Sequence, residues 1–271
     1  MLTFHRILSG CEAGSSEAWR HFLEEYSPVA LALCQVYFPS SQKDGTAPWR
    51  EAVGRLRDHD CEKLRTLDHQ GEREFLVDLK LLLLQQLEVV HHGSEKEAGG
   101  TRLTLDSIQT LIKDLPLIHQ QILLMKLAGY SDRTLEKILM IAPQVAIQAL
   151  ERLRPDYSSA LNQLEDRCLW PAAWRAVLSG LRSSRTENCP NLRQFVRLLD
   201  GQATWYDKTP IETHMSQCLH CQDRWTSLRE VVFWRREAPP VPAASLEKML
   251  GELTIDPRGK RRVSLLKMLF G

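Results

Sequence analysis

The sequence predicts an all-α protein, and three observations predict it. Apolar residues recur at three- and four-residue spacing along most of the 271-residue chain, which is the period of one helix face. No run alternates apolar and polar residues beside hairpin turn chemistry. The breaks between periodic stretches carry proline, glycine and polar clusters, as in Pro39 to Pro48 and His91 to Thr101.

Composition narrows the function classes. Hydrophobic residues at 43% and charged residues at 25% fit a globular protein of about two domains. The 35 Lys+Arg against 34 Asp+Glu leave a formal net charge of +1, so no bulk electrostatic pull toward nucleic acid or membrane is expected and any basic patch must be local. The longest apolar run, around Leu79 to Leu84, is far short of the roughly 18 residues of a membrane helix. The segment Met1 to Leu8 has no signal-peptide core, and the seven cysteines are an odd set, so a reducing cytoplasm without disulfides is the expectation. No phosphate-cradling glycine loop, nucleophile elbow or paired catalytic carboxylates are present, and no enzyme is expected.

The first block, residues 1–92, holds an amphipathic stretch from Glu17 to Phe38, a polar break, and further helical stretches ending with Glu72 to Val90. A polar, Gly-rich linker follows over residues 93–102. Residues 103–157 form a second block of short helical stretches. In it, Ser131 is a predicted N-cap, with Leu135, Ile138 and Leu139 on one face of the helix it starts. Ile141 to Pro143 breaks that helix, and Val145, Leu150 and Leu153 supply the apolar positions of the next. Two short helices with a tight turn predict a helix-turn-helix, although a plain helical bundle can carry the same spacing. A helical connector over residues 158–188 contains Trp170 and Trp174.

The run LPLIHQQILLMKLAGYSDRTLEKILMIAPQVAIQALERLR from Leu115 resembles, without a gap, region 4 of bacterial sigma factors of the extracytoplasmic-function type. The Glu17 to Phe38 stretch is similar to the first helix of sigma region 2, and Arg73-Glu74-Phe75 to that region's REF segment. The resemblance covers roughly residues 1 to 157. It implies two small sigma-like helical domains, with core RNA polymerase or another transcription protein as partner and promoter DNA as ligand. DNA-reading helices need polar groups toward base edges and cations toward phosphates, so the candidates are Gln144 and Gln148 for edges and Arg152 and Arg154 for phosphates. The chain also departs from the family. Ala142 to Leu150 holds no cation, Met140 stands where the turn usually has glycine, and Glu136 stands where alanine is usual. The acidic polymerase-contact segment is replaced by Trp49-Arg50-Glu51-Ala52-Val53, and the promoter-melting tryptophan by the run after Phe75.

The third block, residues 189–237, carries His214-x-x-x-Cys218-x-x-Cys221. On one helix these offsets would place all three side chains on one face, and Cys189 is the expected fourth ligand. Three thiolates and an imidazole suit Zn²⁺. Buried unliganded thiols are the plain alternative. A dithiol redox pair is another, since His220 lies between the two thiols of CLHC. His220 is expected in solvent, and Cys11, Cys34, Cys61 and Cys168 are expected to pack as small hydrophobes. With Leu199-Asp200-Gly201 as a turn before it, the motif closely resembles the zinc-binding anti-sigma domain. The resemblance implies a small helical zinc-binding domain. Trp205, Trp225, Trp234 and the apolar Val231 to Trp234 ending predict a docking face on that module, toward the sigma-like blocks or a partner.

Residues 238–271 form a Pro-rich spacer, a short amphipathic stretch Ser245 to Leu253 and a tail with Arg258, Lys260, Arg261, Arg262 and Lys267. That tail reads as a solvated charged end with a docking helix, or as a phosphate contact. Together these readings predict a cytoplasmic transcription regulator in which a zinc module controls polymerase and promoter engagement. The alternatives are an interaction scaffold that no longer reads DNA and a zinc-thiol redox sensor.

Overall fold

The computed structural model describes residues 2–38, 45–85, 110, 113–152, 181 and 184–252, and among them every regular element is a helix. The linker 93–102, nearly all of the connector with Trp170, Trp174 and Cys168, the basic tail, Leu153 and Arg154 lie outside the described residues.

Helices α1 (Phe4–Glu12), α2 (Ser16–Tyr37), α3 (Ala47–Arg65) and α4 (Glu72–Leu84) build the first block. The side chain of Ser15 caps α2 by accepting from Ala18 N–H at 3.3 Å. At the centre, Trp19, Phe22, Trp49 and Phe75 are all at most 1% exposed. Phe22 meets Phe75 edge-on at 6.1 Å between ring centres, a favoured aromatic geometry, and the Trp49 indole donates to Ser27 Oγ at 2.8 Å. The aromatic side chains thus take up the width between α2, α3 and α4. Helix α3 is broken at Asp58, His59, Asp60 and Cys61, the last three with φ between 52° and 62°.

The second block comprises α5 (Leu117–Leu127), α6 (Asp132–Leu139) and α7, described over residues 143–152. Gly129, at φ +91°, ends α5 in the left-handed conformation that glycine takes without strain, and Tyr130 N–H closes the turn onto Met125 O at 3.1 Å. Ser131 caps α6 by accepting from Thr134 N–H at 3.3 Å, and Leu135, Ile138 and Leu139 are buried. In α7 the buried positions are Ala146 and Ala149, whereas Val145 is 37% exposed. The close-packed face of α7 is therefore shifted one residue from the predicted Val145, because small side chains let the helix lie against its neighbours.

Helices α8 (Leu192–Leu199), α9 (Trp205–Met215), α10 (Leu219–Glu237) and α11 (Ala243–Glu252) complete the order. The nineteen-residue α10 is the hub, packing against α2 and α4, against α5 and α6, and against α8 and α9. Its Leu219, Cys221, Trp225, Leu228 and Val231 join the core of the first block, and Phe233 joins the core of the second. Each large apolar side chain buried this way contributes about 1.5–3 kcal/mol, so α10 is among the main sources of cohesion between the blocks.

Candidate functional site: a metal centre at the start of the hub helix

Cys189, His214, Cys218 and Cys221 come together, with their candidate ligand atoms all within 4.8 Å of one another. The four can hold a metal ion. The three ligands of the H-x-x-x-C-x-x-C motif do not share one helix, as their spacing predicts. His214 lies in the last turn of α9, and the chain turns at Ser216 to Cys218 before Cys221 enters the first turn of α10. The corner brings the imidazole over the N-terminus of α10.

Local sequence sets each position. Thr204 and Asp207 form a reciprocal capping box that starts α9, with Asp207 N–H bonding Thr204 Oγ1 at 3.3 Å and Thr204 N–H bonding Asp207 Oδ2 at 3.1 Å. Asn191 and Gln194 do the same for α8. Gly201, at φ +68°, follows α8, and Gln202 N–H reaches back to Arg197 O at 2.8 Å, which turns the chain toward α9. Phe195 of α8 packs on Trp225 of α10 with ring centres 6.1 Å apart. That contact holds α8, which follows Cys189 in the chain, against α10. Thr186 N–H donates to Cys189 Sγ at 3.2 Å, the kind of outer contact that orients a thiolate ligand.

The distances fit a tetrahedral site. Cys189 Sγ and Cys218 Sγ are 3.8 Å apart, far longer than a disulfide, and metal–sulfur bonds of about 2.3 Å at a tetrahedral angle place two sulfurs at about that separation. Nε2 of His214 is buried with no hydrogen-bond partner among the described residues, an arrangement that a bound ligand would satisfy. The Cys218 thiol is held well below its ordinary value, first by the hydrogen bond from the Cys221 thiol and then by the Cys221 N–H, against the opposing effect of burial. The hydrogen bond with the Cys218 thiol, and then burial, push the Cys221 thiol up. A bound metal would take both groups as thiolates, the ligating form.

His220 does not sit in solvent as predicted. It is half-buried, and its Nδ1 lies 2.9 Å from Leu181 O. The carbonyl engages the ring and turns it to a structural use. Cys11, Cys34 and Cys61 are buried as expected of packing thiols, and burial pushes the Cys34 thiol up to about 12.

Of the candidate DNA-contact residues, three lie among the described residues, and Arg152 is the one cation of the three. Gln144, Gln148 and Arg152 are exposed on α7. Between the glutamines, Ile147 is 52% exposed, and Met140 before the helix is 77% exposed. His119 of α5 is held below its ordinary value, first by burial and then by the charge of Arg152.

A buried polar network escapes a motif-based reading of the sequence. Lys80 of α4 is 3% exposed and Glu230 of α10 is 1% exposed, paired at 2.5 Å. Lys80 also donates to Ser227 Oγ at 2.8 Å, and Tyr37 OH donates to Glu230 at 3.2 Å. Tyr130 OH donates to the other carboxylate oxygen and accepts from the Trp234 indole at 3.1 Å. No protein-family model, curated protein or solved structure matches this chain.

Proposed function

We propose that this chain is a bacterial transcription regulator of sigma-like build, without enzymatic activity. Cys189, His214, Cys218 and Cys221 hold Zn²⁺, and the zinc module controls engagement of RNA polymerase and promoter DNA by residues 1–157. The observation that carries this reading is the position of the metal cluster. It sits at the N-terminus of α10, and α10 packs against both blocks that resemble sigma regions. Zinc closes a four-ligand structural site and supplies folding free energy there rather than reactivity. Linking the module covalently to the surfaces it covers gives an effective concentration on the order of millimolar, so inhibition within one chain needs only modest contacts.

The test is co-purification of the intact chain with core RNA polymerase, before and after chelation of the metal, followed by promoter-dependent transcription. Binding that rises on chelation supports a zinc-held inhibitory module. No association in either state overturns the sigma reading.

A second reading is favoured by Met140, Val145 and Ile147, which are exposed in a stretch without a cation before Arg152. In it α7 docks on a protein rather than on DNA. A DNA reader loses affinity steeply as salt rises, whereas a scaffold has no DNA affinity to lose.

A further inference from the structure

Helix α9 ends at Met215, and its last carbonyls have no partner inside the helix. The chain then turns over Ser216 to Cys218, with one candidate ligand, His214, before the corner and another, Cys218, at its end. Two buried glutamines take up the carbonyls of this corner. Gln222 of α10, 1% exposed, donates from Nε2 to Met215 O at 2.7 Å. Gln120 of α5, fully buried, donates from Nε2 to Ser216 O at 3.3 Å and to Leu115 O at 2.8 Å. The two amides also meet each other, Gln222 Nε2 donating to Gln120 Oε1.

These partners fix how both amides are turned. Each NH₂ end faces oxygens, so reversing either amide would oppose acceptor to acceptor. Both N–H bonds of each glutamine are thereby spent, and Gln222 Oε1 is left buried without a partner among the described residues. An orphaned buried acceptor is costly, so the pair is oriented by the demands of the corner rather than by its own. Gln120 is therefore a residue of the second block that holds a carbonyl midway between two ligands of the third.

We propose that Gln120 is a positioning residue for the metal centre, acting through Ser216 and Gln222, and that it couples metal binding at Cys189, His214, Cys218 and Cys221 to the docking of α5 on α10. A metal fixes the corner, and a fixed corner offers Met215 O and Ser216 O to the amides in the arrangement that seats α5. The effect is reciprocal: α5 seated on α10 raises metal affinity by the same factor by which metal strengthens the seating. This coupling rests on the reading of the four residues as a zinc site and needs no contact with polymerase. It gives loss of the metal a defined route to the second block.

The experiment uses the full-length protein and Zn²⁺, with affinity read by competition against a chromophoric chelator and local opening read by amide hydrogen exchange. Gln120→Met, which keeps the length of the side chain and removes its donors, binds zinc about tenfold more weakly than wild type. Leu56→Ala, in the core of the first block, lowers stability and leaves zinc affinity unchanged. In wild type, chelation speeds exchange of the α5 amides about fivefold more than that of the α1 amides, and in Gln120→Met the two helices respond alike. A glutamine with a merely structural role would lower α5 protection equally with and without zinc. Gln120→Met with Gln222→Met leaves neither amide facing an apolar partner and shows the same losses, which keeps the test valid should Gln120→Met unfold the chain. Wild-type zinc affinity in these variants, an equal loss in Leu56→Ala, or an equal response of α5 and α1 in wild type overturns the proposal and leaves the zinc site standing. A wild type that takes up no zinc overturns the zinc site itself, and the coupling with it.

Discussion

The carboxylate of Glu230 joins Lys80 to Tyr130: one oxygen takes the ammonium at 2.5 Å, and the other accepts the phenol proton. One side chain of α10 therefore ties α4 to the turn between α5 and α6, and Tyr37 adds α2 to the same node at 3.2 Å. Removing one partner of a buried ion pair leaves the other charge uncompensated, whereas replacing both with apolar groups is often near neutral. Lys80→Met is expected to lower unfolding free energy by about 3–5 kcal/mol, and Lys80→Met with Glu230→Leu to recover most of that loss. Urea unfolding of the two variants checks this, and a double variant no better than the single one contradicts it.

The tyrosines of the node set an alkaline limit. Burial, and then the negative charge of Glu230, hold the phenols of Tyr37 and Tyr130 well above their ordinary range. A group whose folded value is raised contributes stability that is complete below its unfolded value and is lost as pH rises above it. Unfolded tyrosine ionises near pH 10, so stability falls beyond that pH by up to about 1.4 kcal/mol per unit for each buried phenol. The slope of urea midpoint against pH above 10 is expected to be shallower in Tyr37→Phe with Tyr130→Phe than in wild type. Identical slopes would show that the phenols do not titrate with unfolding.

Metal removal is expected to act on the whole molecule. Cys218 and Cys221 open α10, and α10 contributes to the cores of both blocks, so chelation loosens the hub at its first turn. The prediction is one equivalent of zinc per chain, lost in Cys189→Ser and Cys221→Ser but kept in Cys34→Ser, whose thiol only packs. Thermal unfolding followed by far-UV circular dichroism should then show a lower midpoint for the whole helical signal after chelation. A small local transition with an unchanged main midpoint would place the site outside the cooperative core.

The helices and the ligand set were legible in the sequence because both rest on local spacing. Apolar period locates α2 and α4, period and the Ser131 cap locate α6, and the C-x-x-C pair with an upstream His and Cys names the four ligands. The corner between α9 and α10 was not legible, since offsets of four and three satisfy a continuous helix equally well and only the tertiary path decides. The Glu230 node was hidden for a related reason. Its members come from four distant segments, and the one local sign was Lys80 inside the apolar run Leu79 to Leu84. A lone lysine in such a run signals a buried partner, and the partner's identity follows only from the packing of α4 on α10. Likewise, the buried face of α7 depended on the short reach of Ala146 and Ala149, which a pattern weighted toward large residues passes over.

Met140 holds a left-handed backbone at an exposed position. It ends α6 at φ 53°, the left-handed conformation, with Ile141 N–H bonding Glu136 O at 3.1 Å in the closing turn that usually carries glycine. A side chain in this conformation costs roughly 1–2 kcal/mol, of which glycine recovers part after its own larger loss of backbone freedom. Met140 is 77% exposed, so its side chain offsets little of that cost by burial. Met140→Gly is therefore expected to stabilise the chain by about 1 kcal/mol, raising the melting midpoint by about 2–4 °C for a protein of this size. Met140→Ala keeps the strained backbone and should give no such gain. An equal gain from alanine would assign the effect to loss of an exposed apolar side chain, and no gain from glycine would mean that the turn is not strained. If Met140→Gly stabilises the chain while weakening capture of a protein partner, the exposed side chain is kept for that contact, which favours the reading of α7 as a protein-docking helix.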